Sequence, residues 1–248
     1  MTRISVELVP RDIEVLKEEV KTIKEKLNDV DFINIPDLLS CDTRSWDGAN
    51  IAKAYFDDVV PHLRAMDFDF TKELPIKDKL REYNIKEVLV IEGDPPQSML
   101  YQVYPTISTD IIKKFSEEMP EITVYAGIDQ YRSSMKEEEY RIRRKQLAGA
   151  KGFFTQPFFD MRYLEIYADL LDGLDIYWGV SPVLSERSVS YWRNKNNVIF
   201  PKDFEPTLEW NIEFARKVIE FARKHNHNVY LMPIKAKIMP YLEGVFAK

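Results

Sequence analysis

Two polar residues stand alone inside apolar stretches of this sequence. Glu7 lies in VELVP, and an apolar setting raises the pKa of a carboxyl group, as an acid that protonates an amine near neutral pH requires. Gln156 lies in GFFTQPFFD, where its carboxamide could read a ligand through both a donor and an acceptor. Local sequence also allows Glu7 to be an edge carboxylate paired with lysine. It equally allows Gln156 to be a core amide or the solvent-facing end of a strand.

Composition restricts the classes of partner. The chain has 248 residues, 45% of them hydrophobic, which suits one α/β barrel or two small domains. A net charge of −6 argues against a general nucleic-acid-binding role. The first residues have no apolar leader and no segment reaches 18 apolar residues, so we expect a cytoplasmic protein that does not act at a membrane.

Cysteine and histidine are scarce. Cys41 is the single cysteine, so no disulfide framework is expected. The three histidines include His62 and form no H-E-x-x-H pattern, and we therefore predict no metal site.

Eight short β-rich runs recur along the chain, and helical patterns rich in Lys, Glu, Leu and Ile follow them. Residues 11–28 carry apolar side chains on one helical face, and residues 204–225 repeat the pattern. Strands that alternate with helices indicate a parallel sheet, and eight such units predict a (β/α)8 TIM barrel, here one domain over residues 1–248. No G-x-G-x-x-G follows any run, which weighs against a Rossmann fold. The runs are 4–9, 32–36, 59–65, 87–93, 122–128, 152–157, 176–182 and 228–234.

A barrel of this type carries its site at the carboxyl ends of the strands. The polar and ionisable residues at those strand ends come from well-separated parts of the sequence. They are Glu7, His62, Arg64, Glu92, Asp94, Thr155, Gln156 and Ser181.

Several blocks resemble the methylenetetrahydrofolate reductase family, in the family's order and over nearly the whole chain. The blocks are VELVP, PHLRAMD, GDPP, AGAKGFFTQPFFD and WGVSPV. The resemblance implies a flavin-containing TIM barrel of one-carbon metabolism, on the route to methionine. Such an enzyme moves a hydride from NAD(P)H through FAD to 5,10-methylenetetrahydrofolate and gives 5-methyltetrahydrofolate.

The resemblance also implies roles on the folate side. Glu7 matches the general acid, and Asp94 matches a catalytic aspartate close to both flavin and pterin. Gln156 matches the glutamine that hydrogen-bonds the pterin. Trp192 stands where the family has an aromatic residue stacked on folate or nicotinamide.

On the cofactor side, Lys145 matches a lysine near the cofactor phosphates and Glu138 a flavin-contacting acid. We expect His62 and Arg64, at the end of the third strand, to complete this side.

The sequence departs from the family mainly on that side. Glu92 stands before GDPP where the family has Arg or Thr, and the family's Ala-Gly-Tyr-Pro-Glu stretch after the fifth strand is here Ala126-Gly127-Ile128-Asp129-Gln130. Carboxylates near a phosphate repel it, so we expect FAD to be held weakly or to be absent.

Three outcomes therefore stay open: a flavin enzyme, direct hydride transfer from a nicotinamide, and a tetrahydrofolate-binding or methyl-transfer accessory barrel without reductase activity. A homo-oligomer or a partner subunit is compatible with each.

Overall fold

Eight strands of the described chain pair in sequence order, each parallel to its neighbours, and β8 closes the sheet against β1. The computed structural model describes residues 2–96, 98, 101–234 and 236–247. The predicted (β/α)8 barrel is confirmed, and each strand lies within one of the eight runs predicted from the sequence. The strands are β1 (Ile4–Glu7), β2 (Phe32–Ile35), β3 (Val59–Arg64), β4 (Glu87–Ile91), β5 (Thr123–Ile128), β6 (Gly152–Pro157), β7 (Ile176–Val180) and β8 (Asn228–Leu231).

Helices cover the outside of this barrel. No helix formed by the described residues is long and apolar enough to span a membrane. A 3-10 turn at Ala65–Asp67 follows β3. The helices are α1 (Ile13–Lys26), α2 (Ser45–Ala52), α3 (Lys77–Glu82), α4 (Ser108–Glu118), α5 (Met135–Ala148), α6 (Met161–Leu170), α7 (Glu186–Lys195), α8 (Leu208–His225) and α9 (Ile238–Phe246).

Helix α1 illustrates how local sequence sets these elements. Asp12 caps it by accepting a hydrogen bond of 2.9 Å from the backbone N–H of Val15. The helix buries Leu16, Val20 and Ile23 against the barrel, as the apolar spacing predicts.

The strands divide the core into two layers, because successive side chains point to opposite faces. Outward residues pack beneath the helices, whereas a smaller inward cluster fills the barrel. Aromatic rings dominate the inner cluster: Phe154 stacks on Tyr177 with centroids 4.1 Å apart, and Tyr230 meets Phe154 edge-on at 5.2 Å. This packed layer forms a floor beneath the carboxyl ends of the strands.

Arg3 closes the opposite, amino-terminal end of the barrel. Its guanidinium bonds Glu87 through both terminal nitrogens, at 3.1 and 3.2 Å, and also bonds the hydroxyls of Tyr125 and Tyr177. It lies over the ring of Phe32, 4.4 Å from the centroid. One cation therefore ties together strands that are far apart in sequence.

Replacing Arg3 by Met should destabilise the fold by about 2–3 kcal/mol, because Glu87 would lose its cationic partner in a half-buried setting. Urea unfolding near neutral pH measures the effect. Arg11→Met is the matched control, since Arg11 is exposed. Equal loss in the two variants would contradict the bridging role of Arg3.

Candidate functional site

The carboxyl end of the barrel carries a layer of inward-facing polar residues above the aromatic floor. Glu7, Asn34, His62 and Ser181 come from β1, β2, β3 and the end of β7, and all four are buried. Barrel closure brings together residues that are separated by up to 174 positions in the chain. This layer is the mouth of the barrel.

Glu7 is the acid of the mouth, and Tyr230 on β8 donates a hydrogen bond to its Oε2. Burial raises the pKa of the Glu7 carboxyl to about 7, and the hydrogen bond from Tyr230 opposes that rise only in part. Burial and the neighbouring carboxylate hold the pKa of Tyr230 well above its ordinary value, so its hydroxyl stays a donor. Near neutral pH, Glu7 can therefore both hold and release a proton.

His62 lies beside this pair, with its Nδ1 4.0 Å from Glu7 Oε2. Burial lowers the pKa of its imidazole to about 3, so the ring is neutral at physiological pH and makes no ion pair with Glu7. Its Nε2 is buried and has no hydrogen-bond partner among the described residues.

Two further buried atoms of the mouth also lack partners in the described part of the chain: Asn34 Oδ1 and Ser181 Oγ. Asn34 is held by its amide nitrogen, which donates to Ser5 Oγ at 3.0 Å. Buried polar atoms are rarely left unbonded in native proteins. A carbonyl oxygen, a ring nitrogen and a hydroxyl therefore lie in one layer, buried and without partners among the described residues.

Gln156 stands at the end of β6 with its side chain exposed. A register irregularity between Phe154 and Pro157 in the pairing of β6 with β7 marks this point. Gln130 fixes the backbone here, because its carboxamide donates to Gln156 O at 2.7 Å and accepts from Gln156 N at 3.1 Å. The carboxamide of Gln156 is therefore exposed to solvent at a strand end whose backbone is held by Gln130.

Asp94 and Arg64 meet at the ends of β4 and β3. Arg64 donates to the backbone oxygen of Asp94 at 2.8 Å and bonds Asp67 at 3.3 Å, while the Asp94 side chain is exposed. Arg44 extends the network by bonding Asp37 twice, at 2.9 and 2.5 Å, and Asp67 at 2.7 Å. The loops after β2, β3 and β4 are thus linked through charged side chains.

Glu138 and Lys145 lie on the buried face of α5. The Lys145 ammonium donates to Gly127 O at 2.6 Å, and Glu138 Oε1 accepts from the backbone N–H of Asp129 at 3.2 Å. Burial lowers the pKa of Lys145 and raises that of Glu138. Both side chains are engaged with the end of β5.

Trp192 belongs to a different cluster. It lies on α7 and packs against Phe159, with centroids 6.2 Å apart, in an apolar group that also includes Val198 and Phe200. The structure does not bring it into contact with the Glu7, His62 and Tyr230 group, and its predicted stacking role stays a prediction.

The residues of the site that sequence reasoning missed include Asn34, Tyr230, Gln130 and Arg44. Tyr230 could have been found from strand alternation in NVYLMPI, which points it inward. Gln130 stands in the sequence only as the last residue of the altered stretch after the fifth strand, although it holds the end of β6 in place. Arg44 precedes a helix in a polar loop and offers no local signal.

Comparison of sequences identifies one distant curated relative. A 5,10-methylenetetrahydrofolate reductase of Buchnera aphidicola subsp. Schizaphis graminum is 22% identical over 147 residues. The match covers 57% of this chain and 50% of that protein, so the chain spans about half the length of the relative it matches. No family model matches the sequence.

Solved structures agree on the fold. An uncharacterized protein from Clostridium thermocellum, which binds two copies of 5-methyl-5,6,7,8-tetrahydrofolic acid, aligns with a TM-score of 0.62 at 13% identity and covers 99% of this chain and 93% of its own. A 2,3-dimethylmalate lyase of the PEP mutase/isocitrate lyase superfamily also aligns at 0.62, with 10% identity, over 97% of this chain and 77% of its own. At these identities the alignments establish the barrel architecture alone. The alignments, the curated relative and the five sequence blocks together describe a (β/α)8 barrel whose sequence resembles the methylenetetrahydrofolate reductase family.

Proposed function

We propose that the mouth of this barrel binds a reduced folate, and that the chain reduces 5,10-methylenetetrahydrofolate to 5-methyltetrahydrofolate with NAD(P)H. The observation that carries the proposal is Glu7, a buried carboxyl group whose pKa is raised to about 7 by burial. The name of the distant relative and the ligand of the Clostridium thermocellum protein support the folate assignment.

Glu7 supplies the proton that opens the five-membered ring of the substrate. Its carboxyl proton passes to N10 of the folate as the bond between N10 and the methylene carbon breaks, which leaves an iminium at N5. A hydride that originates in NAD(P)H adds to that carbon, by a flavin-bound or a flavin-independent route, and makes it the N5-methyl group. One proton and one hydride are consumed and NAD(P)⁺ is released, so atoms and charge balance.

Tyr230 and His62 support this proton transfer. The Tyr230 hydroxyl donates to the carboxylate that remains once Glu7 has given up its proton, and so stabilises it. The neutral imidazole of His62 adds no positive charge that would hold Glu7 in its ionised form.

Gln156 and Asp94 read the pterin in this proposal. A pterin presents a row of donors and acceptors, which a carboxamide and a carboxylate can match. The buried, unpartnered atoms Asn34 Oδ1, His62 Nε2 and Ser181 Oγ would supply additional partners to a ligand that reaches this layer of the mouth. Such pairing discriminates strongly, because each unmatched buried polar group costs about 1–3 kcal/mol.

A second candidate function is a tetrahydrofolate-binding or methyl-transfer barrel without reductase activity. The protein from Clostridium thermocellum favours it, because that barrel aligns with nearly the whole of this chain and binds 5-methyl-5,6,7,8-tetrahydrofolic acid. Oxidation of NAD(P)H that depends on methylenetetrahydrofolate separates the two candidates, because only the reductase consumes the nicotinamide.

Calorimetry with tetrahydrofolate tests the binding common to both candidates. Gln156→Ala should weaken binding by about 1–3 kcal/mol, since a polar edge of the pterin would lose its partner. The variant should fold normally, because Gln130 holds residue 156 through its backbone. Gln146→Ala, at an exposed position of α5, is the matched control. Equal affinities in the two variants would rule out ligand reading by Gln156.

A further inference from the structure

The flavin that the family resemblance implies needs a place for its phosphate groups. Phosphates at the rim of an α/β barrel are normally met by backbone N–H groups at a helix N-terminus and by at least one cation. The residues expected to form this place are His62, Arg64, Glu138 and Lys145, around the ends of β3, β4 and β5.

The cations of this region are already engaged. Arg64 is 5% exposed, and its guanidinium bonds Asp67 and the backbone oxygen of Asp94. Lys145 is 8% exposed and donates to the carbonyl of Gly127. His62 is buried and neutral. Each positive or ring group that we expect on the cofactor side thus lies inward, bonded or uncharged.

The N-terminus of α4 is filled by a carboxylate of the chain itself. Glu92 Oε2 accepts from the backbone N–H of Ser108 at 3.2 Å, and its Oε1 accepts from the Ser108 hydroxyl at 2.7 Å. Asp110 adds a second acid by accepting from the backbone N–H of Ile107 at 3.1 Å. These bonds are the kind that a phosphate would otherwise receive there.

The start of α5 is occupied in the same way. The hydroxyl of Ser134 accepts from the backbone N–H of Glu137 at 3.3 Å. Glu137 and Glu138 supply acidic side chains in the first turn, and Glu138 accepts from the N–H of Asp129. A phosphate beside α4 or α5 would therefore meet carboxylates where it needs donors.

We infer that the Glu92 carboxylate occupies the position at the N-terminus of α4 that a phosphate would otherwise take. We infer also that the chain works without a resident flavin nucleotide. The residues present at the ends of β3, β4 and β5 do not fit the phosphate-bearing part of a flavin. The inference rests on the proposed function in one respect, because it assumes that the chain reduces a folate. In such a reductase without a flavin, the hydride passes directly from the nicotinamide nucleotide to the folate.

The first test measures flavin retention. The full chain is incubated with excess FAD or FMN, passed through gel filtration and read by absorbance between 350 and 500 nm. We expect far less than one flavin per chain. Protein that retains flavin near stoichiometry, released only by denaturation, would overturn the inference.

The second test asks whether Glu92 is what excludes the phosphate. Glu92→Gln keeps an oxygen for Ser108 but removes the charge, and should strengthen FMN binding about tenfold or more in a fluorescence titration. Glu117→Gln is the matched control, since Glu117 is exposed on α4, the helix whose N-terminus Glu92 contacts. Glu92→Ser is the second variant, in case the amide disturbs the helix start. If both Glu92 variants bind FMN no better than wild type, the role assigned to Glu92 is wrong.

Calorimetry with 5-methyltetrahydrofolate on the same preparations keeps the two proposals apart. Absence of folate binding would contradict the proposed function and leave the flavin result standing. Folate binding together with stoichiometric flavin would contradict only the inference about Glu92.

Discussion

Glu7→Gln should reduce the turnover of methylenetetrahydrofolate by about 10²–10⁴-fold, the usual contribution of a general acid. Glutamine has nearly the same shape and still accepts the hydrogen bond from Tyr230, but it has no acidic proton to give to N10. The affinity for tetrahydrofolate should change far less, because the interaction that is lost belongs to the transition state.

Steady-state oxidation of NAD(P)H measures turnover, and calorimetry measures affinity on the same protein. Glu14→Gln is the matched control, since Glu14 is exposed on α1 and pairs only with Lys17 in the described structure. Wild-type turnover in Glu7→Gln would mean that Glu7 is structural and that another group supplies the proton.

The stability of the fold should depend on pH through Glu7 and His62, with opposite signs. The pKa of Glu7 is about 7 in the folded chain against 4.5 for an ordinary glutamate, so the native state binds more protons between these values. Stability therefore falls as pH rises from about 4.5 to 7. The pKa of His62 is about 3 against 6.5, so here the unfolded state binds more protons. Stability is lost through His62 as pH falls from about 6.5 to 3.

Single variants separate these two effects. Relative to wild type, Glu7→Gln should gain about 3 kcal/mol in the free energy of unfolding between about pH 4 and 8, because only wild type carries the cost of ionising Glu7. His62→Gln should gain a similar amount relative to wild type as pH falls from about 7 to 4. Urea unfolding at each pH measures both differences. A difference that stays constant with pH in either variant would show that the corresponding group titrates near its ordinary value.

The barrel was predictable because its determinants are local and repeated. Apolar runs of strand length between amphipathic segments appear eight times, and each run coincides with a strand of the structure. Asp12 and the apolar spacing that follows it indicate α1 without any knowledge of the rest of the chain. Parallel strands joined by helices leave few other ways to bury both faces of the sheet.

The membership of the mouth was predictable in part. Glu7, His62 and Ser181 lie in the C-terminal parts of predicted strands, and the barrel rule sends strand ends to one rim. The partner of Glu7 was not anticipated, because Tyr230 lies 223 positions away and meets it only when β8 closes against β1. Gln130 was equally hard to anticipate, because its hydrogen bonds to the backbone of residue 156 form only when β5 pairs with β6.

The strand and helix pattern and the barrel can be derived from the sequence, since they follow from side-chain periodicity along short segments, and the order of the strands places acid–base residue types at the rim. Which of these charges are free depends on the folded structure. Arg64 and Lys145 are cations in the sequence, but in the fold they bond Asp67 and the carbonyl of Gly127. Glu92 becomes a helix cap, and Glu7 acquires a raised pKa. Desolvation and hydrogen bonding set the availability of a charge, and both depend on groups that are brought together only by the closed barrel.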